Sequence, residues 1–182
     1  MKRKRLFLLA CLLSCFVNTK AQKEMKPSDD GSKVHFVIKN FGIKTGGDFS
    51  GLKGTIKFDP KNPAGSSFDV TVNSSTIDTD NGSRDGHLKK SEYFDVKQYP
   101  TIHMASTKVQ ATVKPGRYIF TGNLTIKKTT KPISFQFVAE EKDGGYLFTS
   151  DNIPLNRRDY GVGGSSVSMA DELKLTLSVL AK

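Results

Sequence analysis

Cysteine is nearly absent from this sequence. Cys11 and Cys15 are the only two in 182 residues, and both lie in the N-terminal stretch read below as a leader. The rest of the chain has none, which excludes thiol catalysis, cysteine-ligated metal and disulfide stapling there. Histidine is scarce too: His35, His87 and His103 stand alone, without the H-x-x-x-H spacing of a helical metal pair. Each reads as a hydrogen-bonded or surface histidine, and neither metal nor other cofactor is expected. The apolar run at residues 6–17 is shorter than the roughly 20 residues a membrane-spanning helix needs. No strand–helix–strand alternation occurs, which argues against a parallel α/β fold.

Charge of one sign is not concentrated anywhere beyond the N-terminus. The formal net charge is +10. Five of the 28 lysines and arginines fall within residues 1–21, where there are no acids, so 23 basic residues face 18 acidic ones in the remainder. The remaining lysines are scattered, whereas a nucleic-acid protein shows a clustered basic face. No nucleic-acid partner is expected. Lys2-Arg3-Lys4-Arg5, the apolar run and Thr19-Lys20-Ala21 read as a secretory signal peptide over residues 1–21. Leu12-Leu13-Ser14-Cys15 is a partial lipobox, so lipid attachment at Cys15 is the alternative. Either route leads out of the cytoplasm, to a periplasmic or secreted location, with no stable membrane insertion once the leader is cut.

Residues 22–32 are polar and read as a flexible lead-in to one domain over residues 33–182. From Val34 the pattern has a period of two. Val34, Phe36 and Ile38 share one face, and His35, Val37 and Lys39 the other. Similar alternation recurs at Ile56 and Phe58, at Phe68, Val70 and Val72, and at Ile102 and Met104. It continues from Tyr118 through Phe120, Gly122 and Leu124 to Ile126, at Ile133, Phe135 and Phe137, and from Leu173 through Leu175 and Leu177 to Val179. Turn signals such as Asn81-Gly82, Pro115-Gly116 and Asp143-Gly144 separate these runs. Many short one-faced strands predict an all-β sandwich or barrel with one apolar interior. Alternation does not distinguish a filled core from a hollow one.

Residues 84–102 break the pattern. Asp85 is a plausible N-cap, Leu88 with Tyr93 or Phe94 supplies an apolar face, and Ser91 is a second cap candidate. Pro100 forces Tyr99 into extended geometry. A short helical segment between about Asp85 and Asp95 is expected.

Asp85-x-His87-Leu88, Ser91-x-Tyr93-Phe94-Asp95 and Tyr99-Pro100-x-Ile102 closely resemble the hallmark segment of the YceI-like polyisoprenoid-binding family. Gly54-x-Ile56-x-Phe58-Asp59, residues 75–79, Gly122-Asn123-Leu124-Thr125-Ile126 and Asn156-Arg157-x-Asp159-Tyr160-Gly161-Val162 extend the likeness over nearly all of residues 33–182. Asn40 stands where that family often has His, and Lys128 where it often has Gly. The resemblance implies a lipocalin-like extended antiparallel β-barrel with a short helical segment and an elongated apolar cavity. It implies a binding protein that sequesters or transports an isoprenoid-type lipid, a polyprenyl chain or a quinone. A homodimer is compatible with it. The expected cavity lining is Phe36, Ile38, Phe58, Phe68, Val70, Ile102, Met104, Phe120, Phe135, Phe137, Leu175 and Leu177; ordinary core packing is the competing reading for each. The alternative function is a secreted β-domain that works through protein contacts without a lipid.

Catalysis is not expected. Asp85 and His87, two apart, do not face each other on a helix. His87 and Ser91 are spaced to meet, but no oxyanion-binding element accompanies them. Arg157, Arg158 and Asp159 read as a structural ion-pair cluster, with a contact to a ligand's polar head as the other option.

Overall fold

Period-two alternation becomes a curled antiparallel sheet. The computed structural model describes residues 23–182, so the expected leader over residues 1–21, with Cys11 and Cys15, lies outside the described residues. The strands are β1 (Glu24–Met25), β2 (Pro27–Asn40), β3 (Ile43–Phe49), β4 (Lys53–Lys57), β5 (Ser67–Asn73), β6 (Thr101–Ala111), β7 (Arg117–Ile126), β8 (Thr129–Lys142), β9 (Gly145–Asn156) and β10 (Met169–Ala181). Their order in the sheet is β1-β4-β5-β6-β7-β8-β9-β10-β2-β3, and every pairing is antiparallel.

β1 and β2 are separated by Lys26 alone, and this makes the curl. One edge of the combined strand pairs with β10, from Pro27 opposite Ala181 to Asn40 opposite Met169. The other edge pairs with β4 at Met25 and with β3 from Val34 onward. Between those two stretches the Asp29 carboxylate accepts from the amides of Gly51 and Leu52, both at 2.9 Å. The lead-in is therefore strand from Glu24 on, not a flexible tail. Its polar side chains face outward, while Met25 and Pro27 are buried. Ser32 Oγ also accepts from the Leu180 amide at 2.8 Å.

The helical segment differs in its bounds. α1 spans Gly82–Leu88, and its N-cap is Asn81, whose side chain accepts from the Arg84 amide at 3.0 Å. Asp85 sits inside the first turn and is buried. Its Oδ1 accepts from the Thr79 amide at 3.0 Å and from the Thr79 hydroxyl at 2.5 Å. Asp85 thus staples the helix to the preceding turn and is not the cap. Residues 89–99 continue as turns, ending where Ser74 Oγ donates to the Tyr99 carbonyl at 2.6 Å.

One half of the barrel is solid. Phe58 meets Tyr118 at 5.0 Å, Tyr146 at 5.1 Å and Phe148 at 5.3 Å between ring centroids, all edge-on. Phe68 meets Phe148 at 5.1 Å and Phe137 at 5.5 Å. Edge-to-face contact at these distances is the favoured aromatic geometry. Val109 and Ala181 are fully buried beside this cluster.

Candidate lipid-accommodating cavity

The other half of the barrel is hollow. The inward parity of β2 places Val34, Phe36 and Ile38 on the cavity wall, opposite Leu177, Leu175 and Leu173 of β10. Val70, Val72, Ile102, Met104, Leu124 and Ile126 form the facing wall. These strands enclose about 190 Å³. An apolar cavity of roughly 150 Å³ already holds a benzene-sized guest. A second pocket of about 50 Å³ adjoins it toward the aromatic half, lined by Phe68, Phe120, Phe135, Phe137 and Phe148. Val70, Met104, Leu177 and Val179 border both spaces, so the two lie on either side of these four side chains.

Two segments roof the hollow end. Leu88, Tyr93 and Phe94 come from α1 and the turns after it; Arg157 and Val162 come from the loop between β9 and β10. Phe94 meets Phe49 of β3 edge-on at 5.4 Å. The Gly163 amide donates to the Glu92 carbonyl at 2.9 Å. Lys127 Nζ ties both segments down by donating to the Ser91 and Gly161 carbonyls at 3.0 and 3.1 Å.

Arg157 is 3% exposed, and all five of its N–H donors are used. Nε donates to the Ala170 carbonyl, and Nη1 to those of Val162 and Gly164. Nη2 donates to the Met169 carbonyl and to Asp171 Oδ1 at 2.7 Å. A guanidinium has no sixth donor, so Arg157 holds the loop and has none to offer a ligand head. The ion pairs also differ from the expected cluster. Arg157 and Arg158 both reach Asp171, while Asp159 lies 4.0 Å from Lys131.

The polar groups on the cavity wall are few. Asn40 and Thr45 stand at the β2–β3 end, Thr71 on β5, and Thr79 and Arg84 at the helix end. Arg84 donates from Nε to Thr79 Oγ1 at 2.8 Å and from Nη2 to the Thr79 carbonyl at 2.6 Å.

Of the expected lining residues, Phe36, Ile38, Val70, Ile102, Met104, Leu175 and Leu177 border the larger space. Phe68, Phe120, Phe135 and Phe137 border the smaller one, where Phe120 and Phe135 stack at 4.8 Å. Phe58 borders neither, because the rings around it fill its surroundings. The expected lining omitted the roof residues and, on the wall, Val34, Phe49, Val72, Leu124, Ile126, Leu155, Met169 and Leu173. The hallmark segment around Tyr93 and Phe94 was the available signal for the roof.

The three histidines lie in structural contacts. His35 pairs with Asp48 and His103 with Asp69, each at 2.8 Å, and the His87 ring packs 4.9 Å from that of Tyr93. Among the described residues no cluster of His, Asp and Glu could hold a metal ion, and no helix is long and apolar enough to cross a membrane.

This curled antiparallel sheet has known counterparts. A sequence profile of the YceI-like domain matches residues 26–181. The chain belongs to the YceI-like family. A UPF0312 protein of Pseudomonas aeruginosa strain LESB58 is 32% identical over 152 residues, covering 80% of this chain and 78% of that one. BcnA of Burkholderia cenocepacia superposes with a TM-score of 0.76 at 24% identity, covering 81% and 94% of the two chains. A polyisoprenoid binding domain from Saccharophagus degradans superposes with a TM-score of 0.70 at 13% identity, covering 88% and 98%. At these identities the two solved structures establish the shared lipocalin-like barrel fold.

Proposed function

We propose that this YceI-like protein sequesters or carries an isoprenoid-type lipid, a polyprenyl chain or a quinone tail, inside the barrel. The observation that carries this reading is the apolar cavity: about 190 Å³ in one half, with a second, smaller apolar pocket beside it toward the aromatic half. The polyisoprenoid binding domain with the same fold supports it. Moving a prenyl tail out of water gains roughly 0.8 kcal/mol per buried CH₂-sized group, or up to about 4 kcal/mol per five-carbon unit. Ordering the chain offsets part of that gain. Branched methyl groups suit the Leu, Val and Met walls. Asn40, Thr45 and Arg84 would meet the polar head, since Arg84 Nη1 makes no hydrogen bond among the described residues.

The reading is binding without catalysis. Delivery to the periplasm or the exterior is part of the proposal and rests on the N-terminal leader. Mass spectrometry of organic extracts from the natively purified protein tests it. A prenyl lipid present in stoichiometric amount is the expected result. No lipid in the extract, together with no uptake of a fluorescent isoprenoid by the stripped protein, would overturn it in favour of a domain working through protein contacts.

A further inference from the structure

Among the described residues, three of the four large hydrophobic side chains that stand exposed sit together at the cavity end of the barrel. Phe41 is 78% exposed, Ile43 70%, and Val167 fully exposed. Phe41 and Ile43 are at the tip of the β2–β3 hairpin, just beyond the cavity-lining Asn40. The Phe41 amide donates to the Ser168 carbonyl at 2.7 Å, which brings the backbone beside Val167 to the same tip. The fourth, Val113, lies in the β6–β7 turn at the opposite end.

The backbone at the tip is unusual for an ordinary turn. Phe41 and Gly42 are its two central residues, and both have positive φ, 49° and 76°. Asn, Asp or Gly normally fills the first of these positions; a bulky aromatic there is strained. At this strained position the Phe41 ring stands exposed to solvent among the described residues.

Charge marks the same place. Lys39 and Lys44 lie directly opposite each other across the hairpin, and both are exposed. Like charges in that relation repel, and neither forms an ion pair among the described residues. Asp78 and Asp80 share an outer groove with Lys44 but do not pair with it. An apolar tip with two unpaired ammonium groups behind it complements an anionic bilayer. In such a contact Phe41 and Ile43 would enter the acyl boundary while the lysines stay at the head groups.

We propose that this hairpin, with Val167 beside it, docks the cavity end of the barrel onto an anionic lipid bilayer. The inference rests on the carrier reading only for its purpose, direct exchange of a lipid tail between bilayer and cavity. The docking itself is independent of what the cavity holds.

Co-sedimentation with vesicles tests it. Residues 23–182 carry all the described strands and the core cluster, and using them keeps the apolar N-terminal run out of a membrane assay. The protein should bind vesicles of phosphatidylcholine mixed with phosphatidylglycerol and prefer them to phosphatidylcholine alone. Phe41→Asn combined with Ile43→Thr should lower partitioning roughly tenfold or more, with the melting temperature held or raised because Asn relieves the turn. Lys39→Gln and Lys44→Gln should each lower it about fivefold on anionic vesicles. Equal binding by parent and tip variant, or no preference for anionic vesicles, would overturn the proposal. A concentration-dependent dimer in sedimentation velocity that Phe41→Asn abolishes would also overturn it, making a second copy the occupant. Vesicle binding by a parent that takes up no isoprenoid probe would support the docking face while removing the carrier reading, so the two fail separately.

Discussion

The tip of the Phe36 ring covers Gly47, its cross-strand partner on β3. A Cβ at Gly47 would stand 2.6 Å from Phe36 Cζ and 2.7 Å from Thr79 Cγ2. The missing side chain at one residue sets where the other's ring stands on the cavity wall.

Gly47→Ala should therefore push the Phe36 ring into the cavity. The expected loss of stability is about 1–3 kcal/mol, as for other overpacked sites, and isoprenoid affinity should fall with it. A urea melt and a probe titration measure the two effects. Unchanged affinity with lowered stability would mean that the ring moves away from the ligand path.

Tryptophan substitutions separate the hollow half from the solid half. Ile38→Trp or Leu175→Trp should fill the cavity, block probe uptake and leave the melting midpoint close to that of the parent. Val109→Trp, introduced where the side chain is fully buried, should lower stability by about 1–3 kcal/mol or more. Equal destabilisation at both places would show that the hollow closes in solution.

Asp85→Ala should destabilise through Thr79. The lost carboxylate leaves the buried Thr79 amide without its acceptor and releases the Thr79 hydroxyl. An orphaned buried donor costs about 1–3 kcal/mol. Asp85→Asn keeps one acceptor oxygen and should cost less. Denaturant melts of the two variants decide this, and equal losses would point away from the Thr79 contact.

Alkaline pH above the ordinary phenol range should destabilise the protein. Burial pushes the phenols of Tyr118, Tyr146 and Tyr160 up, with smaller contributions from Asp59, Glu141 and Asp159 respectively. A folded-state value above the unfolded one stabilises the fold fully below the unfolded phenol range, near 10. That contribution is lost as pH rises through the raised values. Melting temperature followed across that range, with phenolate absorbance read in parallel, should show ionisation and unfolding together.

The sequence by itself determined the strands and the facing of most inward side chains. A period of two is a local property of extended backbone, and no distant contact is needed to produce it. The hallmark segment was also legible, as was the family it resembles. The cap was not, because Asn81 and Asp85 both suit a helix start; only the fold brings Thr79 close enough to engage Asp85. The lead-in strand was hidden because its polar side chains face solvent while its backbone is held by β4 and β10, which lie far away in the chain. The division into solid and hollow halves was decided by tertiary structure alone. Phe36 and Phe58 share the same parity and residue type, yet Phe58 packs among rings from β5, β7, β8 and β9 and Phe36 borders open space. Alternation says which way a side chain points; whether another meets it there depends on how the curled sheet and its roof set the distance across the barrel.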